Sequence, residues 1–416
     1  MNESPRPLDG LLVIDLTTAL SGPYATLLLA GLGARVIKVE DGLRGGDSSR
    51  TNSPFISSTG KVISERESDD DWSVSQLNRA RNKESVGINL KDPEGLIVFK
   101  KLVERADVLI ENFSDGVTSR LGIDYETVRR WNPRIIYTSI SGFGQGTAAG
   151  EAKAVDLIIQ ALSGLMMTSG SEGEPPVRVG LPLGDLMAPL YAVIGTLAAV
   201  VGREKSGRGT HVDVGMLGAL TSLMANEPLD TLESVGIPVR SGPTLPRLSI
   251  FGVFASTDGW VSICAHTDHL AARLFSAMGR DALAHDSPFS HREGRVVGAE
   301  EIHAIVSDWV SGLRTAEVIE ILTERGVPVA TVETPAVALQ SPIVRSRKEV
   351  VPLLHPALGR LDHVSSSGVP ILFDGVSPEL NSPAERLGES TQSVLRELLG
   401  LSQDDVETLK DAGAIY

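Results

Sequence analysis

A single cysteine, Cys264, in 416 residues leaves no room for an internal disulfide framework and fits a reducing compartment. Basic residues are scarce as well. Lys and Arg number 38 against 53 Asp and Glu, a formal net charge of −15 with no local basic stripe to offset it, which excludes a nucleic-acid binder. No apolar run reaches the ~20 residues that span a bilayer. The longest, Leu186 to Val201, is interrupted by Pro189 and Gly195 and reads as a buried helix. The start, Met1 to Gly10, is polar and proline-punctuated, unlike a signal peptide. These absences predict a cytoplasmic protein with no membrane or nucleic-acid partner. Missing too are the GxxxxGK[ST] phosphate loop, the GxSxG nucleophile elbow and the HExxH zinc motif.

What is present is ordinary globular composition, 42% hydrophobic and 22% charged, in a chain long enough for two or more cores. The first third alternates strand and helix signals. Leu11 to Leu16 and Arg35 to Glu40 read as strands, with a helix over Pro23 to Gly31 that Ser21 or Gly22 would cap. Val108 to Ile110 and Ile135 to Ile140 are further buried strands. Asp92-Pro93-Glu94 starts a helix between these pairs, with Asp as cap and Pro at the first position. This is a doubly wound α/β pattern. The polar stretch from Asp41 to Lys83 reads as a mobile surface excursion or, alternatively, a binding loop. From Pro238 a second unit begins, with a hairpin over Phe251 to Ala255 and Trp260 to Cys264 and amphipathic helices after it.

The chemistry-bearing candidates each have a plain structural alternative. Glu40 ends the second strand, where a ribose-binding acid sits in dinucleotide folds, yet the first strand–helix turn, 17–23, holds only one glycine, Gly22. A nicotinamide site is therefore disfavoured. Cys264, His266 and His269 lack a further zinc ligand and read as residues at a helix start, so no metal is expected. Gly142, Gly144 and Gly146 follow a strand and suit either close backbone approach to a ligand or a loose loop. Asp185 directly precedes the long apolar helix. It would either cap that helix or, kept ionised by the helix N-terminus, act as a nucleophile.

A series of stretches runs in order along the chain: Pro7-Leu-Asp-Gly10, Val13-Ile-Asp15, Ser21-Gly-Pro23 and the run Gly31 to Glu40. It continues through Asn89 to Gly95, Ala106 to Phe113, Arg120-Leu-Gly122, Leu183-Gly-Asp185, Lys205 to Gly209 and His211-Val-Asp213. In these stretches the sequence resembles the class III coenzyme A transferases, the CaiB/BaiF family. The resemblance implies a Rossmann-like large domain built from both chain ends, 1–224 with 332–416, and a smaller α/β domain over 225–331. It also implies an interlocked homodimer, with a homologous partner subunit as the variant. The implied activity transfers CoA from an acyl-CoA, with succinyl-CoA or another short dicarboxylyl-CoA favoured, to a carboxylic acid. Asp185 would carry the acyl group covalently. Lys91 and Arg120 would meet phosphates of CoA, Asn112 and Phe113 would line its path, and Lys153 is the next candidate. CoA is a substrate here, and no other cofactor is implied.

The sequence departs from the family pattern at four places. Asp41 stands where some members carry an arginine, and Leu20 replaces a glutamine. Ala154-Val155-Asp156 replaces the Gly-His-Asp of the racemase branch, which disfavours an acyl-CoA racemase. The glycine-rich loop of formyl-CoA transferases, expected after about residue 240, is absent too, so oxalate and formyl chemistry is not favoured. A non-catalytic CoA-binding subunit is the remaining alternative, and the presence of Asp185 speaks against it.

Overall fold

Strands buried on both faces need apolar residues at successive positions, and the chain supplies them at Val13-Ile14, Val36-Ile37 and Val108-Leu109-Ile110, all at most 1% exposed. In the computed structural model, which describes residues 6–147 and 153–416, these runs are neighbours in one sheet. Its strands are β1 (Leu12–Asp15), β2 (Arg35–Glu40), β3 (Lys83–Gly87), β4 (Val108–Glu111), β5 (Ile136–Ser141) and β6 (Thr210–Gly215). Every pairing is parallel, and the order is β3-β2-β1-β4-β5-β6. That is the doubly wound order, in which the sense of strand addition reverses between β1 and β4 and opens a crevice at the strands' carboxyl ends.

Helix α1 (Ser21–Gly31) links β1 to β2. Helices Pro93–Val103 and Tyr125–Trp131 supply Phe99, Leu102 and Val128 to the sheet core, joined by Val394 and Leu395 from Thr391–Leu399 near the other chain end. The expected cap of the first of these is present: Asp92 Oδ1 accepts from Glu94 N at 2.9 Å and Gly95 N at 3.1 Å. Helix α2 (Asp156–Leu162) and helix α3 (Leu183–Ser206) pack against each other, and α3 also packs on α1 and β6.

Three expectations need correction. The stretch 41–83 is structured: it holds a small antiparallel sheet of Phe55–Ile56, Val62–Ile63 and Trp72–Ser73. Ile56 and Trp72 are buried with Leu77, Leu353 and Leu361, apolar residues distant in sequence that no local pattern links. Ser21 and Gly22 do not cap α1. The cap position is Leu20, with no side-chain hydrogen bond. The long apolar helix is also less buried than expected: Ile194 is 62% and Val201 63% exposed. By length and composition alone, α3 is long and apolar enough to cross a membrane. Its two ends carry polar groups tied into the domain, with Arg203 paired to Asp107 at 3.0 Å.

The chain divides into two compact units, Met1–Ser163 with Gly180–Met224 and Leu339–Tyr416, and Gly164–Val179 with Ala225–Ala338. Compared with the division expected from sequence, 164–179 and 332–338 belong to the smaller unit. The cause is hydrogen bonding: Arg240 Nε donates to Ser169 O and its Nη2 to Pro175 O, both at 2.8 Å, and Val332 N donates to Trp260 O at 2.9 Å. The smaller unit carries the antiparallel sheet β7 (Phe251–Ala255), β8 (Trp260–Cys264) and β9 (Val329–Thr331). Its own core includes Phe254, Ile263, Leu274, Phe275, Ile302 and Val306.

Candidate active site

The loops after β1 and β4 meet at the reversal point and are clipped together by one side chain. Asn112 Oδ1 accepts from Thr18 N at 2.8 Å, and its Nδ2 donates to Thr18 O at 2.9 Å. Beneath them lies a buried charge network. Asp15 faces Lys83 Nζ at 3.1 Å and accepts from Thr17 and Thr26 hydroxyls, while Lys38 Nζ pairs with Asp47 at 2.8 Å and donates to Thr17 O. Burial opposes the Asp15 charge, but the two lysines and the two hydroxyls prevail and hold its carboxyl below the usual range. Asp47 in turn accepts from Ala19 N at 2.9 Å, so the network fixes the β1–α1 turn.

Two cavities flank this clip. One, of about 790 Å³, is lined by Lys91, Arg120, Arg44, Asn112 and Phe113 together with the carboxyl ends of β1 and β2. The other, of about 290 Å³, is lined by Asp185, Asp156, Ser21, the Gly142–Gln145 loop and Met216. Thr18, Asn112, Phe113 and Ser114 belong to both linings, so the two chambers share a wall. A larger concavity of about 1060 Å³ lies at the opposite, amino ends of the strands. There Arg35 is already paired with Glu84 and Glu397, and open parallel sheets bind ligands at the other end.

Four of the six site residues expected from sequence, Lys91, Asn112, Phe113 and Arg120, thus gather on the larger chamber, and Asp185 on the smaller. Lys153 is exposed and lines neither. Glu40 reaches the larger chamber, but its oxygens are engaged: Oε1 accepts from Arg50 Nε at 2.8 Å and Asp47 N at 2.9 Å, and Oε2 from Ser85 Oγ at 2.6 Å. A free ribose acceptor it is not. Cys264 Sγ lies 3.3 Å from His266 Nδ1, and no group of three potential metal ligands occurs among the described residues.

Asp185 does not cap its helix. It is the third residue of α3, behind Pro182 at the cap position. The cap is supplied from α2, where Asp156 Oδ1 accepts from Gly184 N at 2.7 Å. Gln160 Nε2 steadies that carboxylate, donating to Asp156 Oδ2 at 2.7 Å and to Leu181 O at 2.9 Å. The Asp185 carboxylate accepts no hydrogen bond among the described residues. Instead of being held ionised by the helix end, it is pushed up to about 6, by burial first and by the Asp156 charge second, with Arg79 opposing. A carboxylate this basic, bare and sheltered is a competent nucleophile.

Sequence reasoning missed Asp156, Asp47, Arg79 and Ser21. Asp156 had a signal, as an acid at the first position of a helical stretch. The Arg79 guanidinium is pulled down by burial although the Asp47 and Asp185 charges favour it, and its buried Nε has no partner. Nothing in the local sequence marks that environment.

The fold sets a chamber lined by Lys91, Arg44 and Arg120 beside a smaller one lined by the Asp185 carboxylate. The chain belongs to CoA-transferase family III, whose model matches residues 8–391, and it is an enzyme of that class. It is 36% identical over 346 residues to an acetyl-CoA:oxalate CoA-transferase of Acetobacter aceti, covering 83% of this chain and 85% of that one. A succinyl-CoA:mesaconate CoA-transferase of Haloarcula marismortui is 35% identical, covering 94% and 96%. Among solved structures, a CaiB/BaiF family protein from Brucella suis superimposes with a TM-score of 0.81 at 29% identity, over 95% of this chain and all of that one.

Proposed function

We propose that the enzyme transfers CoA from succinyl-CoA, or a similar short dicarboxylyl-CoA, to a carboxylic acid through a covalent intermediate on Asp185. The Asp185 oxygen attacks the thioester carbonyl, the C–S bond breaks, and CoA leaves as its thiolate with the electron pair. The thiolate then attacks the aspartyl carbonyl of the mixed anhydride, releasing the donor acid and leaving an aspartyl-CoA thioester. The acceptor carboxylate repeats these steps in reverse. Each step exchanges one anion for another, so no net proton is consumed and the thioester's free energy is kept. CoA is a substrate in this scheme, and no other cofactor takes part.

The observation that carries this reading is the shared wall: a bare carboxylate in the small chamber, reached past Asn112 and Phe113 from a chamber bearing Lys91 and Arg120. Cations there suit the phosphates of the CoA nucleotide. Lys153, exposed at the surface, would act only as an outer contact. The preference for dicarboxylates draws on relatives named for mesaconate and, at 31% identity in Agrobacterium fabrum, for succinate and glutarate. The experiment is a hydroxylamine trap after mixing with succinyl-CoA, with acetyl-CoA as the comparison donor. Hydroxamate on Asp185, and loss of transfer with retained CoA binding in Asp185→Ala, supports the scheme; full turnover by that variant overturns it.

The working form is proposed to be a cytoplasmic homodimer. Exposed apolar side chains on α2 and α3, including Leu157, Leu162, Ile194 and Val201, are an extensive apolar surface of the kind a second copy covers. Pairing with a homologous subunit is the alternative, since relatives in Chloroflexus aurantiacus are named as alpha and beta subunits of a succinyl-CoA–L-malate CoA-transferase.

A further inference from the structure

Helix α1 begins inside the protein without a cap. Leu20, at the cap position, offers no side-chain acceptor, and the third helical residue, Pro23, has no N–H. The two preceding amides are satisfied, Thr18 N by Asn112 and Ala19 N by Asp47. The amides of Leu20, Ser21 and Gly22 donate to nothing among the described residues. Such a helix start concentrates partial positive charge.

A second, independent feature sits at the same place. Ser21 is 4% exposed, and its hydroxyl has no hydrogen-bond partner. Leaving a buried hydroxyl unpaired is unfavourable, so a ligand group that pairs with it is favoured there. Ser21 lines the chamber that Asp185 lines, from another helix, and the two side chains are not hydrogen-bonded to each other. The turn that aims it is itself strained: Ala19 has φ +67°, a left-handed conformation unfavourable for a non-glycine residue. Asp47 holds that turn from below through the Ala19 amide.

We propose that the start of α1 is the oxyanion site of the transfer reaction, where the Ser21 hydroxyl and the free amides beside it receive the thioester carbonyl oxygen as Asp185 attacks. This rests on the reading of Asp185 as nucleophile. As the new O–C bond forms, the carbonyl π pair moves onto oxygen, and that oxygen becomes an anion facing donors already in place. Collapse returns the pair to the C=O bond and expels the thiolate. Donors fixed in a dry chamber stabilise this charge without reorganising at the moment of reaction. The site takes the carbonyl oxygen of any acyl-CoA, so it serves donor and product alike.

The test is rapid-quench measurement of acylation with succinyl-CoA, the adduct being located by hydroxylamine trapping. Ser21→Ala is expected to slow acylation by about 100-fold, with KM and CoA affinity within twofold of wild type. Ser21→Thr, which keeps a hydroxyl, recovers part of the loss. Should the Ala variant not fold, Ser21→Cys, close in size and only a weak donor, carries the same expectation. A folded variant that acylates Asp185 at the wild-type rate, or one that changes KM alone, overturns the oxyanion assignment and leaves the nucleophile standing. A wild-type enzyme that gives no adduct on Asp185 removes the nucleophile, and the oxyanion assignment falls with it.

Discussion

Gly184 N donates a 2.7 Å hydrogen bond to Asp156 Oδ1, so the helix that presents Asp185 is capped by a carboxylate from the neighbouring helix rather than by its own. Glycine suits the contact: a Cβ on Gly184 would stand 3.2 Å from that same oxygen and 3.1 Å from Ile159 Cγ2. One side chain therefore does two things. It satisfies an otherwise free amide, and it sets a negative charge against the Asp185 carboxylate.

Asp156→Asn keeps the cap, because an amide oxygen still accepts from Gly184 N, while the charge is gone together with the acceptor for Gln160 Nε2. Burial is the larger cause of the Asp185 shift, with Asp156 second. Charged groups facing Asp185 are Asp156 from α2 and Arg79 from helix Val74–Arg79. The acidic limb of the pH–rate profile is expected to move down by about half a pH unit. A limb that stays in place shows that burial alone sets the basicity of Asp185.

If Asp185 attacks as proposed, only its ionised form is competent, and turnover is expected to fall as pH drops through about 6. Stability follows the opposite direction. Asp185 is raised from 3.8 to about 6 in the folded protein, which then holds the proton more tightly than the unfolded chain. Stability is lost as pH rises across that window. Asp185→Asn should consequently be more stable than wild type at pH 7.5 by about 1 kcal/mol, a figure discounted for partial exposure, with the gap closing near pH 4. Chemical denaturation at the two pH values measures it. Equal stability at both would show that the buried Asp185 carboxylate carries no electrostatic cost.

Asn112→Ala removes both hydrogen bonds to Thr18 and frees the wall between the chambers. The expected result is a rise in KM for the acyl-CoA of about tenfold, equivalent to about 1.4 kcal/mol, with fold and thermal midpoint little changed. An unaltered KM would mean that Thr18 is held by the charge network alone.

Lys83→Met tests that network. Lys83 is 3.1 Å from Asp15 and also donates to Thr26 Oγ1 and Pro23 O. Removing one partner of a buried pair leaves an uncompensated charge and costs about 3–5 kcal/mol. Urea unfolding reads the loss. A change below 1 kcal/mol would show that Lys38, 4.0 Å from Asp15, compensates.

Strands β1, β2, β4 and β5 were legible because each is a short apolar run, whereas β3, Lys-Glu-Ser-Val-Gly, has no such run and went unread; Asp92-Pro93-Glu94 announced its helix by cap chemistry alone. Lys91, Asn112, Phe113 and Arg120 share one chamber, a grouping that resemblance suggested and spacing could not. The misjudged parts depend on distant partners. Trp72 is buried by Leu353 and Leu361, nearly 300 positions away, so 41–83 looked irregular. Asp185 looked like a cap because the real one, Asp156, is 29 positions earlier. Ser21 looked like a cap for the same reason: sequence shows a hydroxyl at a helix start but not the direction it faces.

The partition formed by Thr18, Asn112, Phe113 and Ser114 has an evolutionary corollary. On the proposed function, residues that would hold the nucleotide handle lie on one side, and those that would meet the travelling acid lie on the other. Descendants of such an enzyme can exchange one acid for another by altering the inner room, while the outer grip stays untouched.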